Sequence, residues 1–344
     1  MNGFRKLSLA GLGALALSCN GVQVRDVPAF KGLTDAAHTL GSGKEDDAEC
    51  VKLNAPPSEE EEYTLGGAIA LNWVNRGNGL VPLDSNEKLV RYINIVGKNL
   101  GAQSSRPLLT WTFGVLQTDQ AFNAFSAPGG YVFVTRELLR GVENEAQLAG
   151  VLAHEIAHVT NRDVLKQYTA TKVAECQRAA TANRYSKAGQ QLGVNVNMSW
   201  TESLVSIAKD GGLLDPKRYP QVFAGLTDAV VDKLINGGLS EEQEYAADAE
   251  AVRLMVSAGY DPREYLDFLA KLPDNSTVFS HHPRKVERRK RLVALLKENP
   301  NSPKKDPNAQ EEFPEFAPGS AGLVQPPLPP EFASLKKTAA QAKP

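Results

Sequence analysis

The run His154-Glu155-Ile156-Ala157-His158 sets two imidazoles four residues apart, with a carboxylate next to the first. On a helix, residues at i and i+4 project from one face, so both rings can converge on a single divalent cation. Glu155 lies beside that pair without being forced to ligate. From there it can hold a metal-bound water and accept its proton. Zinc lowers the pKa of such a water from about 16 to about 7, and a nearby carboxylate then carries the proton to a departing amine. The pattern points to metal-assisted hydrolysis, with Glu155 as general base. Leu148, Val151, Leu152 and Ile156 add a continuous apolar face, which predicts a buried helix. A buried helix carrying two histidines and a glutamate must supply partners for them, and a metal is one.

A catalytic zinc site usually offers three protein ligands and keeps one position open. A histidine six residues beyond His158 would complete one such set, but Val164 stands there. The stretch Glu244-Tyr245-Ala246-Ala247-Asp248 offers another. Glu244 can ligate while Asp248, one turn further on, orients a ligand histidine from behind. Read alone, an acidic pair following Glu241 and Glu242 is more often a solvated helix face. Beside His154 and His158, the ligand reading is the stronger.

These residues need elements to hold them. Leu89, Tyr92, Ile93 and Val96 share one face of a helix over residues 85–100, with Gly101 as its stop. Residues 108–116, 121–126 and 131–135 read as short strands, the last two separated by the turn Ala127-Pro128-Gly129-Gly130. Residues 131–135 could be an edge strand beside the metal that takes substrate as an added strand, or an ordinary hairpin strand inside the sheet. Asn144 with Gln147 caps the helix of the histidines, and Ser240 with Gln243 opens a helix that ends near Gly259. Between them, residues 164–239 read as broken and largely helical. The expectation is an α+β fold, mainly helical, with a small β-sheet.

Taken together, His154, Glu155, His158, Glu244 and Asp248 reproduce an HExxH helix followed many residues later by ExxxD. The chain resembles the gluzincin metallopeptidases of the CAAX-prenyl-protease and HtpX group, in particular its soluble periplasmic BepA/LoiP-like branch. The resemblance also covers Asn123-Ala124-Phe125, the stretch from Pro128 through Thr135, and the stretch from Asn144 through Ala153, and extends over roughly residues 62–295. It implies a zincin-like domain with one zinc per chain. One departure is Asp163, where those relatives typically have a histidine after Arg162; lying beyond the ligands, it is expected to leave zinc binding intact. His281-His282-Pro283 and Arg288 match the group's HP-containing segment. By that match His282 has three readings: a donor to the oxyanion, a reversible fourth ligand that masks the zinc, or a surface histidine among Arg284, Lys285, Arg288, Arg289 and Lys290. The resemblance implies an endopeptidase acting on misfolded or unassembled envelope proteins. The alternative it carries is a chaperone-like factor of outer-membrane assembly whose zinc is largely masked.

Composition bounds the rest. The 344 residues carry a net charge of -2, which disfavours nucleic acid as a partner. Arg5 and Lys6 precede an apolar stretch over residues 7–17, the layout of an export signal. Leu15-Ala16-Leu17-Ser18-Cys19 resembles a lipobox, in which the cysteine becomes acylated; a plain secreted protein is the alternative. Asn20 is not the aspartate that retains lipoproteins at the inner membrane in enteric bacteria, so the expected address is periplasmic, anchored to the outer membrane through Cys19. Cys50 and Cys176 remain as either a disulfide or two free thiols. The expected organisation is a signal segment over 1–19, an acidic flexible tether over 20–61, part of which could become the first helix of the folded domain, a metallopeptidase domain over 62–298 and a Pro-rich disordered tail over 299–344.

Overall fold

Branched and aromatic residues cluster in β1 (Thr112–Leu116) and β3 (Tyr131–Thr135), while β2 (Ala124–Ala127) has only Phe125 of these types and forms by pairing with β3. The computed structural model describes residues 48–119, 123–191, 200–271, 285–297, 327–332 and 335. The sheet order is β1-β3-β2, with β1 parallel and β2 antiparallel to β3. Gly129 and Gly130, at φ 80° and 97°, turn the chain sharply from β2 into β3. Tyr131–Thr135 is therefore the central strand, hydrogen-bonded on both sides, and not an edge. Its position was unreadable from sequence because β1 pairs with it across a non-local, parallel connection. β2 is an edge of this sheet.

Two units divide the chain. The smaller comprises residues 1–53 and 173–212, and in it Cys50 and Cys176 form a disulfide with Cα atoms 5.7 Å apart. It also holds helix Glu202–Lys209. The larger unit comprises residues 54–172 and 213–344 and holds the sheet and every candidate site residue described.

In the larger unit, Ser58 caps α1 (Glu59–Arg76) by accepting from the Glu61 amide. Part of the acidic run expected as tether is thus built into the fold. Glu62 is buried, forks onto Arg106 at 2.7 and 3.1 Å, and accepts from the Gly129 amide at 3.3 Å. Glu61 is buried against the Tyr168 hydroxyl and the Lys172 ammonium, at 2.8 and 3.0 Å. α2 (Leu83–Ala102) passes through Gly101, and the stop falls at Gln103. Gly101 is a packing residue, since a Cβ there would sit 2.8 Å from the Trp111 ring.

A short helix, α3 (Arg136–Gly141), leads to α4 (Glu145–Thr160), the helix of the two histidines. Asn144 caps α4 by accepting from the Gln147 amide at 2.9 Å. Every residue of α4 from Ala146 to Val159 is buried. It packs against α2, β2, α8 (Glu241–Ser257) and α9 (Arg263–Lys271). Small residues along α4 permit this: a Cβ on Gly150 would lie 2.5 Å from that of Tyr265. Glu145, at the first turn, accepts from the hydroxyls of Tyr92 and Tyr260, so the start of α4 is tied to α2 and to the turn before α9.

The stretch read as broken begins with one continuous 29-residue helix, α5 (Asp163–Gln191). α6 is the Glu202–Lys209 helix, and α7 (Pro220–Gly237) leads to α8, whose Ser240/Gln243 capping box is formed. α10 (Lys285–Lys297) lies on α8 and α9. Part of the segment expected as a disordered tail is also structured. Pro327 bridges to Asn144, the Leu335 carbonyl accepts from Arg140 at 3.1 Å, and Phe332 is buried edge-on against Tyr92. Burying that phenyl ring offsets the ordering cost by about 1.5–3 kcal/mol, which a Pro-rich composition conceals. Among the described residues, no helix is long and apolar enough to cross a membrane.

Candidate metal centre

His154 and His158 lie one turn apart on α4, and their rings meet edge to face with Nε2 atoms 3.1 Å apart. Glu244, in the first turn of α8, completes the group. Its Oε2 is 3.4 Å from His154 Nε2 and its Oε1 is 3.5 Å from His158 Nε2. All three side chains are buried. The capping box at Ser240 fixes the start of α8, so Glu244 is set by the same local chemistry that begins its helix.

The donor set suits a metal. A tetrahedral zinc with ligands at about 2.0–2.1 Å has donor–donor edges of about 3.3–3.4 Å. The three separations here are 3.1, 3.4 and 3.5 Å. The outer ring nitrogens are also occupied. His154 Nδ1 is 3.0 Å from Asp248 Oδ1, and His158 Nδ1 is 2.9 Å from Asp163 Oδ2. Each imidazole therefore turns its Nε2 inward toward Glu244.

Behind His154, Asp248 is held by one of the basic residues that follow His282 in sequence. Arg288, on α10, donates from Nε to Asp248 Oδ2 at 2.8 Å and from Nη2 to Oδ1 at 2.7 Å. Nη2 also donates to the Tyr265 hydroxyl at 2.9 Å, and that hydroxyl donates to Asp248 at 2.9 Å. Arg288 is buried, and its Nη1 lies 3.5 Å from Glu244 Oε2. The basic run was misleading because Arg288 shares the face of Leu292 and Leu296, both buried, four and eight residues on. That i, i+4, i+8 spacing was the signal that could have found it. Tyr265 offered none beyond its place on an apolar face.

Charge balances follow from this packing. Burial and the Arg288 charge oppose protonation of His154, but hydrogen bonds to Asp248 and Glu244 outweigh them and push its pKa up to about 9. Burial raises Asp248, yet Arg288 and His154 pull it well below the usual carboxylate range. Asp163 is likewise lowered, burial being outweighed by His158, Lys166 and Gln243.

Glu155 is buried on α4 and lines a cavity with His158, Trp73, Phe125, Leu234 and Leu239, beneath the edge strand β2. The structure thus brings together five expected residues: His154, Glu155, His158, Glu244 and Asp248. His282 lies outside the described residues.

A buried helix bearing two inward-facing imidazoles, crossed by a second helix that offers one carboxylate, defines a class of helical metallopeptidase. Sequence comparison gives the same class: the profile of Peptidase family M48 matches residues 87–296, and the chain belongs to that family. Membership implies a metal ion. The chain is similar to the beta-barrel assembly-enhancing protease of Yersinia pestis, 29% identical over 226 residues that cover 66% of this chain and 40% of that protein. It is similar to the protein of the same name from Escherichia coli K12, 28% identical over 211 residues covering 61% of this chain and 38% of that one. A protease HtpX homolog from Methanopyrus kandleri is 32% identical over 123 residues, 36% of this chain and 31% of that protein. The chain spans about two fifths of the length of the first two relatives.

Proposed function

We propose that this chain is a zinc-dependent endopeptidase of the bacterial cell envelope, with one zinc held by His154, His158 and Glu244. The observation that carries the reading is the convergence of the two Nε2 atoms and the Glu244 carboxylate while Asp248 and Asp163 occupy the outer ring nitrogens. When bound, zinc supplies Lewis acidity at neutral pH. Glu155 takes a proton from the attacking water and delivers it to the leaving amine. Asp248, clamped by Arg288 and Tyr265, keeps His154 oriented. The substrate lies against β2, the sheet edge over the cavity at Glu155, as an added strand held by main-chain hydrogen bonds. That assigns to β2 the role considered for residues 131–135.

The Cys50–Cys176 disulfide supports an oxidising compartment, in keeping with the export signal over residues 1–19. We infer attachment to the outer membrane through an acylated Cys19. The substrates we infer are misfolded or unassembled envelope proteins, and the names of the two long relatives support a link to outer-membrane assembly machinery.

The test is casein digestion by purified protein beside Glu155→Gln, with metal content measured in both. Loss of general-base catalysis should lower turnover by about 10²–10⁴-fold with metal content unchanged. Digestion that survives the substitution refutes the mechanism. A wild type that holds zinc yet cuts nothing favours the assembly-factor alternative.

A further inference from the structure

We propose that Asp163 is a positioning residue of the metal centre, fixing His158 as Asp248 fixes His154. The inference rests on the metal reading of His154, His158 and Glu244, and reverses the expectation that position 163 is indifferent to zinc. Asp163 is buried at the first residue of α5, with Oδ2 2.9 Å from His158 Nδ1. An unprotonated carboxylate can only accept there, so Nδ1 carries the hydrogen and Nε2 is left as the electron-pair donor. A metal ligand must have its lone pair on the nitrogen facing the ion, and this contact enforces that tautomer.

The backbone is bent to make the contact. Arg162, between α4 and α5, adopts φ 57°, one of two described non-glycine residues in the left-handed region. Residues with a Cβ rarely adopt this conformation, and it persists where the surrounding structure holds it. It reverses the chain immediately after α4, so that a residue five positions past His158 folds back onto its ring. The N-terminal end of α5 also favours an anion at that point. Asp163 is further tied on both sides: Lys166 Nζ lies 3.1 Å from Oδ1, and the Gln243 side chain hydrogen-bonds the carboxylate from α8. Gln243 is the neighbour of Glu244 and a member of the capping box that starts α8. One carboxylate therefore joins the helix of the histidines, the helix of the third ligand and the helix that follows.

Removing a group that orients a metal-bound histidine typically weakens metal affinity by about 10–100-fold. Zinc affinity is to be measured by competition with a chromophoric chelator, on the full chain, for wild type, Asp163→Asn, Asp163→Ala and Asp163→Glu. Asp163→Ala should lose 10–100-fold. Asp163→Asn, which keeps an acceptor without its charge, should fall between Ala and wild type, and Asp163→Glu should recover part of the loss. The visible spectrum of the cobalt-substituted protein should change in Asp163→Ala, a readout that a purely structural residue would not move. Should Asp163→Ala fail to fold, Asp163→Asn alone decides. Affinity within twofold of wild type in the folded variants, with an unaltered cobalt spectrum, overturns the proposal. Failure of the underlying metal reading is separate, because it would appear as a wild type and a His158→Ala variant of equal affinity.

Discussion

Arg288→Met is the perturbation that best tests the buried network, because methionine has similar length and fills most of the space without the charge. In the protein, the guanidinium makes two charge-assisted bonds to Asp248, one bond to Tyr265, and stands 3.5 Å from Glu244. All four side chains are buried. Removing one member of a buried ion pair typically costs about 3–5 kcal/mol, because the other charge stays behind. His154 still faces Asp248 at 3.0 Å and can carry a positive charge, so the expected loss is at the lower end, about 3 kcal/mol. For 344 residues, at about 2.1 cal/mol/K of unfolding entropy per residue, that corresponds to a fall in Tm of roughly 4 °C. The assay is urea unfolding of the metal-free protein, followed by circular dichroism, for Arg288→Met, Asp248→Asn and the double variant. Because both charges are gone in the double variant, the single effects should not add, and a coupling of about 2–3 kcal/mol is expected. A loss under about 1 kcal/mol in Arg288→Met, or strict additivity, would show that the guanidinium is not confined as described.

Two further outcomes follow from packing and covalent structure. Gly150→Ala should destabilise by about 1–3 kcal/mol through overpacking against Tyr265, although alanine is the better helix former by nearly 1 kcal/mol. Because Tyr265 donates to Asp248, zinc affinity should fall with it; a neutral or stabilised variant in thermal unfolding counts against the close approach of α4 and α9. Cys50→Ser should cost about 2–5 kcal/mol, since the bridge joins residues 126 apart in sequence. Thermal unfolding with and without reductant checks this, and equal Tm values would mean that the bridge is absent in solution.

How much of this was legible follows from the range of each interaction. His154, Glu155 and His158 were readable because one helix sets their spacing, and the apolar residues around them report that helix directly. Glu244 and Asp248 were readable as a pair, again at helical spacing, although nothing local says which side of α8 is buried. The centrality of β3 was not legible, since strand order depends on a parallel partner nearly twenty residues upstream. Phe332 was hidden because scattered aromatics in a Pro-rich segment carry no periodicity. The contact of Asp163 with His158 was not legible for a different reason. It depends on a left-handed residue, Arg162, and propensity gives no warning when a non-glycine residue is driven there by tertiary contacts.

Physical consistency joins these pieces at the site. Glu155, Asp163, Glu244 and Asp248 are all buried around two imidazoles, and the buried guanidinium among them is that of Arg288. Charges removed from water in such numbers are costly unless compensated. A divalent ion held between the Nε2 atoms and Glu244 would supply positive charge at the point where the donors converge. Metal loading should then contribute to folding as well as to chemistry. Asp163 and Asp248 beside the histidines, and Arg288 on Asp248, belong to the same buried arrangement as Glu155, the base we propose.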